Sequence, residues 1–249
     1  MDLAWQTLAI LAVVALIAGF LDTLAGGGGL LTLPALLLVG VPPLQALGTN
    51  KLQGSFGTGM ATWQVIRRRR VRWSDARWPM LGAFLGSVAG SVAIQFADVD
   101  ALRVLIPVVL ALIAAYFAFV PKAHEPPARA PMSAARYEAT VVPAIGAYDG
   151  AFGPGTGSLF ALSGVTLRAY GLVRSTAVAK TLNFATNVAS LLVFACVGQI
   201  AWVVGGAMIA GQVVGAYVAS HVLFRVSPVV LRVLIVVMSV GMLVRYLVG

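Results

Sequence analysis

Residues 3–21, LAWQTLAILAVVALIAGFL, run without a charged side chain, and this stretch constrains the fold more than any other feature. A helix of about 20 apolar residues spans the hydrocarbon core of a bilayer. Comparable runs occupy 78–97, 102–120, 202–224 and 229–248. With 60% hydrophobic and 10% charged residues, the chain lacks the polar surface a soluble domain of 249 residues needs. No segment alternates as a lipid-facing barrel strand does, so the expectation is an all-α, polytopic helical membrane protein. The first segment is expected to stay in place rather than act as a cleaved leader. Asp2 stands where a basic region would be, and GFLD is not a small-x-small cleavage site.

The net charge of +9 would suggest nucleic acid in a soluble protein, but here it sits mostly in short loops between apolar segments. There it sets topology, so no nucleic-acid partner is expected. Cys196 is the single cysteine, and His124 and His221 lie far apart in sequence. These residues suggest no disulfide, metal or cofactor. There is no Walker A motif either, so coupling to a gradient is expected rather than ATP hydrolysis.

The chain resembles itself. Gly19, Asp22 and Gly26 recur 127 residues later as Gly146, Asp149 and Gly153. Beyond one two-residue indel the offset becomes 129, relating Lys51 to Lys180, Trp73 to Trp202, and Gly82, Gly86 and Ser91 to Gly211, Gly215 and Ser220. The pentapeptide LRVLI at 102–106 returns unchanged at 231–235. Such constant offsets predict two homologous halves, 1–121 and 137–249, joined by a polar, Pro-rich cytoplasmic linker at 122–136. Each half holds five apolar segments: 3–21, 30–41, 44–66, 78–97 and 102–121, then 137–150, 157–172, 176–197, 202–224 and 229–248. The second is too short to span, reaching about 18 Å over 12 residues.

Orientation follows from the basic loops. RRRRVRWSDAR at 67–77 carries six arginines and is expected in the cytoplasm. If each segment crosses or returns in turn, residues 122–136, 168–174 and 225–232 share that face, leaving Arg103 and Arg245 opposite. Fusing the first two segments of each half into one crossing sends Arg168, Arg174, Arg225 and Arg232 outside, a poorer segregation of charge. The first arrangement makes the halves inverted repeats of four to five membrane segments each, a plan of secondary transporters.

Lys51 and Lys180 fall well inside segments that must cross lipid, where a lysine costs roughly 2.5–3.5 kcal/mol and should face the interior with a partner. Lys51, Ser55, Thr58 and Thr62 share one helical face, as do Lys180, Asn183, Asn187 and Ser190. Two such stripes meeting at a pseudo-twofold axis would enclose a positive, hydrogen-bonding cavity. The blander expectation is a pair of structural ion pairs within each half, Lys51 with Asp22 and Lys180 with Asp149. Around DTLAGGGGLLTLP and DGAFGPGTGS, glycine lets the chain turn sharply before a new helix. A helix N-terminus placed there offers N–H groups and a positive dipole end to an anion. The candidate substrate-binding residues are therefore Lys51, Lys180, Asn50, Ser55, Thr58, Asn183 and Asn187, with Gly27, Gly28, Gly29, Gly155, Gly157 and Ser158 at the breaks. Asp22 and Asp149 would orient the lysines or carry a coupling proton. The spacing of Gly82, Gly86 and Gly90, and of Gly211 and Gly215, predicts close helix packing and allows a homodimer. Gln212 could reach the cavity, and Trp63, Trp73, Trp78 and Trp202 read as interfacial anchors.

GFLDTLAGGGGLLTLPALLLVGVPPLQALGTNKLQ, together with GAYDGAFGPGTGSLF and AVAKTLNFATN, resembles the sulfite exporter TauE/SafE family over nearly the whole chain. The resemblance implies an anion transporter of the bacterial inner (cytoplasmic) membrane, exporting sulfite, sulfoacetate or a related organosulfur anion. It also implies about eight spans, which fits ten segments where the Gly-rich pairs are partial or re-entrant. Two other readings are a passive channel or cation carrier, and an intramembrane aspartyl protease using the two buried aspartates.

Overall fold

Glycine and proline decide where the helices stop. The computed structural model describes residues 4–119 and 126–222. Helix α1 (Trp5–Ala25) ends at Gly26, whose φ of 74° is open to glycine without strain. Helix α2 (Gly29–Leu38) is a ten-residue return, about 15 Å long and too short to span. Helix α3 (Pro43–Arg67) starts on a proline, where the missing N–H costs nothing, and ends in the arginine loop. Helices α4 (Trp73–Ile94) and α5 (Val99–Phe119) complete the first half.

The second half begins inside the expected linker. A helical turn, α6 (Ala134–Arg136), leads through a π-helical turn at Tyr137–Val141 into α7 (Val142–Ala151). Pro143 has no N–H to give the carbonyl four residues back, and the widened turn precedes it. After Gly153 and Gly155, both at positive φ, come α8 (Thr156–Arg168), α9 (Leu172–Cys196) and α10 (Trp202–Val222). The described residues contain helices and no strand, as the sequence predicts. The expected segment 229–248, with Arg225, Arg232, Arg245 and His124, lies outside the described residues.

The distribution of side chains is reversed from that of a soluble protein. Asn50, Lys51, Gln53, Gln64, Asp149, Lys180, Asn183, Asn187 and Gln212 are buried, while Ile10, Leu85, Leu112 and Val203 are exposed. Such an exterior is stable only against hydrocarbon. Helices Trp5–Ala25, Leu172–Cys196 and Trp202–His221 are each long and apolar enough to cross a bilayer. Trp63, Trp73, Trp78 and Trp202 are all exposed near helix ends, with Arg67 and Arg77 over the rings of Trp63 and Trp78.

The halves interlock. Helix α1 packs chiefly on α10, and α4 on α7, while α3 and α9 cross at the centre. Gly211 and Gly215 meet the backbone of Ala12 and Leu16, and Gly86 and Gly90 meet that of Pro143 and Ala147. The glycine ridges are thus consumed inside one chain. Close helix packing is what their spacing predicts.

A Cβ at Gly90 would overlap the Ala147 carbonyl oxygen and lie 2.7 Å from its carbon, and backbone cannot give way. Gly90→Ala should therefore lose about 1–3 kcal/mol through overpacking, despite alanine's advantage of about 1 kcal/mol in a helix interior. Gly206 has nothing within 4 Å of the same position, so Gly206→Ala should be neutral or stabilising. Thermal unfolding of the two variants in detergent makes the comparison.

Candidate functional site

The site is built where the two Gly-rich breaks touch. A Cβ at Gly26 would lie 2.5 Å from the Ser158 amide nitrogen, and one at Gly157 would lie 2.8 Å from the Gly26 Cα. Gly29 faces Pro154, and Ser158 donates its hydroxyl to the Ala25 carbonyl. Tyr148 closes its own break by donating to the Pro154 carbonyl at 2.6 Å. Gly27 and Gly28 accept from the first amides of α2, Leu30 and Leu31, and Gly155 accepts from Ser158 in α8.

Both lysines are 1% exposed. Lys51 donates to the main-chain carbonyl of Asp149 and lies 3.0 Å from its carboxylate Oδ1. Lys180 donates to the main-chain carbonyl of Asp22. Each ammonium thus caps the C-terminal turn of the broken helix in the opposite half, where the dipole is negative, and at Asp22 it shares the carbonyl with the Gly26 amide. The expected pairings within each half, Lys51 with Asp22 and Lys180 with Asp149, are corrected: the partners are exchanged. The breaks dock on one another, so the nearest helix end belongs to the other half.

The two aspartates are held differently. Asp22 Oδ1 accepts from the Gly28 amide at 3.1 Å, so this carboxylate is itself the anion at the start of α2. Asp149 gives Oδ1 to Lys51, while its Oδ2 is buried with no hydrogen-bond partner. Asp22 and Asp149 thus have different partners in this conformation.

The polar stripes are present but turned inward on themselves. Ser55 donates to the Lys51 carbonyl at 2.7 Å and Thr58 to the Gly54 carbonyl at 2.7 Å, each one turn back along α3. Asn187 donates to the Asn183 carbonyl at 2.8 Å and to its side-chain oxygen at 3.0 Å. Asn50 accepts from Thr32 at 2.6 Å and from Gln53 at 2.9 Å, joining α2 to α3. Gln212 packs against Gly57. In this conformation the Ser55, Thr58 and Asn187 donors are engaged within their own helices.

Lys51 and Lys180 do not together line either of two cavities, of ≈ 10 Å³ and ≈ 540 Å³. Thr62 donates to the Lys180 carbonyl at 3.0 Å, placing the Lys180 backbone eleven residues, about 16 Å, further along α3 than Lys51. A cavity of ≈ 10 Å³, room for about one water, borders Lys180 together with Thr23, Gln64, Arg70 and Ser220. Lys51 is not part of that lining. Two lysines and two aspartates also make the cluster formally neutral, not positive.

Sequence reasoning missed the serines that clamp the site. Ser87 donates to the Thr186 carbonyl at 2.8 Å and lies 2.7 Å from the Ser190 hydroxyl, and Ser91 donates to the Gly150 carbonyl at 3.1 Å. The signal available was their position beside Gly86 and Gly90 on one small-residue face.

Residues 11–246 match the family model described as sulfite exporter TauE/SafE. The chain belongs to the sulfite exporter TauE/SafE family. Among its relatives it is 42% identical over 246 residues to "Probable membrane transporter protein ORF9" of Sinorhizobium sp, covering 99% of this chain and 94% of that one. It is 41% identical to a "Probable membrane transporter protein" of Haemophilus influenzae strain Rd, over 96% and 94% of the two chains. It is 39% identical to "Probable membrane transporter protein YfcA" of Escherichia coli K12, over 96% and 89%. No solved structure gives a significant match to this TauE/SafE chain.

Proposed function

We propose that this protein is a secondary transporter of the cytoplasmic membrane that exports a small sulfur-containing anion, such as sulfite or a sulfonate, by moving two inverted repeats against each other. The observation carrying this reading is the pair of buried lysines, each held by a carbonyl of the opposite half's broken helix. Membership of a family described as sulfite exporters supports the choice of a sulfur anion. An anion arriving at Lys180 competes with the Asp22 carbonyl for the ammonium. Taking it releases the last turn of α1, and α1 with α10 can then swing. The same exchange at Lys51 and Asp149 serves the other face. This is alternating access through exchange of one lysine partner for another.

Charge balance suggests the coupling. The empty cluster is neutral, so a bound monoanion leaves it at −1 in a medium of low dielectric. A proton on Asp149 Oδ2, the carboxylate oxygen without a partner, would restore neutrality. The closed packing around the lysines favours a carrier over an open channel.

Purified protein in proteoliposomes loaded with sulfite, sulfoacetate or thiosulfate should show saturable efflux of at least one, responsive to a pH gradient. The same ligand should raise the unfolding temperature by mass action. If acetate and chloride move as readily as every sulfur anion, the substrate assignment fails. If none of them moves or stabilises the protein, anion transport fails with it.

A further inference from the structure

Two of the basic loops read as cytoplasmic, 67–77 and 168–174, converge on one cavity of ≈ 540 Å³. Its lining includes Arg69, Arg70 and Arg72 after α3, Glu138 at the start of the second half, Tyr170 between α8 and α9, and Arg174 in the first turn of α9. The arrangement that fuses the first two segments of each half would put Arg174 at the opposite end from Arg69, and the shared cavity excludes it. The volume falls within the range of small-molecule sites.

Setting topology requires basic residues on a face, but it does not require a cleft. Here the lining continues from Arg174 to Leu182 along α9, eight residues or about 12 Å deep. Leu182 lies two residues beyond Lys180. Arg72 is offset by Asp75 at 3.1 Å. Arg69 and Arg174 then outnumber the remaining carboxylate, that of Glu138, so the cleft is electropositive. The Tyr170 ring holds Arg174 at 4.4 Å and Arg168 at 5.6 Å, which fixes the guanidinium groups at the mouth. Among the described residues, Arg69 and Ala169 are the non-glycine positions at positive φ, and they turn the chain just before Arg70 and Tyr170. Arg70 also borders the ≈ 10 Å³ cavity of Lys180. It is therefore the wall common to the wide cleft and the lysine.

We infer that this cleft is a capture site for small organic oxyanions, with Arg174 at its mouth and Arg70 as the group that passes the anion to Lys180. The inference rests on the transport reading above and adds a second binding site to it. Guanidinium groups match sulfonate and carboxylate oxygens in pairs, and the clustered positive charge raises the local anion concentration.

The test uses sulfoacetate as probe on the full-length protein, with arginine labelling by phenylglyoxal read by mass spectrometry. In phosphatidylcholine nanodiscs, sulfoacetate should slow labelling of Arg70 and Arg174 several-fold and leave the exposed Arg77 and Arg129 unchanged. In proteoliposomes, Arg70→Gln and Arg174→Gln should each raise the half-saturating sulfoacetate concentration about tenfold, and Arg70→Lys should recover part of that. Equal labelling of all four arginines with and without sulfoacetate overturns the capture site, whether or not the wild type transports. Protection without any wild-type flux upholds the capture site and sinks the transport reading instead. Protection by phosphatidylglycerol nanodiscs alone, with no sulfoacetate present, assigns the cleft to a lipid headgroup and overturns its role in substrate capture.

Discussion

Lys51→Met should destabilise the protein by about 3–5 kcal/mol, the usual cost of removing one member of a buried ion pair. The lysine and Asp149 are both essentially unexposed and 3.0 Å apart, and Asp149 Oδ2 already lacks a partner. Without the ammonium, a carboxylate is stranded in the interior beside Gly153, with no group placed to replace it. The unfolding temperature in detergent should fall by roughly 10 °C or more, taking about 2–4 °C per kcal/mol for a chain of this size. Methionine keeps the length of the side chain, so the loss reports the charge rather than a void. Adding Asp149→Leu to Lys51→Met should recover most of the stability and none of the flux, because the stranded charge is gone while the exchange partner is too. Asp22→Leu added to Lys51→Met should recover nothing. A rescue by Asp22→Leu in place of Asp149→Leu would restore the pairing within one half and refute the exchanged arrangement.

Much of the architecture is legible in the sequence. The apolar segments predict every described helix but α6 to within about five residues, and the central lysines are buried as the cost of a charge in lipid demands. The repeat relates Lys51 to Lys180 and Asp22 to Asp149, but equivalence between halves is silent on which half supplies a partner. That choice depends on how closely the breaks approach, and it is fixed by Gly26 against Ser158 and Gly157, a contact between distant parts of the chain. The stripes misled for a different reason. Ser55 and Thr58 stand on the face of Lys51, yet a helical hydroxyl can always turn to the carbonyl one turn back, and sequence spacing does not reveal whether it has. The arginine cleft escaped because it assembles from the 67–77 loop and the α8–α9 junction, each of which alone reads as a topology signal.

Lys180→Met should nearly abolish flux while leaving the protein far more stable than Lys51→Met. The two lysines are equivalent in the repeat but not in this conformation. Asp22 keeps its hydrogen bond from the Gly28 amide when Lys180 is lost, so no carboxylate is stranded to the degree that Asp149 is. Lys180 is also the lysine that borders a cavity shared with Arg70 and Ser220, and Arg68 donates to the Ser220 carbonyl at 3.0 Å on that same side. It stands nearest the arginine-lined face, where, on the transport reading proposed above, an anion exchanges a guanidinium for an ammonium. Losing a charged donor at that step should lower efflux at subsaturating sulfite by roughly a hundredfold, the upper range for one charge-assisted hydrogen bond. The measurement is initial efflux from proteoliposomes of known orientation, with unfolding temperatures taken on the same preparations. Wild-type efflux in Lys180→Met would remove the ammonium from the transport cycle. A fall in stability matching that of Lys51→Met would show instead that both lysines serve only to pin the broken helices together.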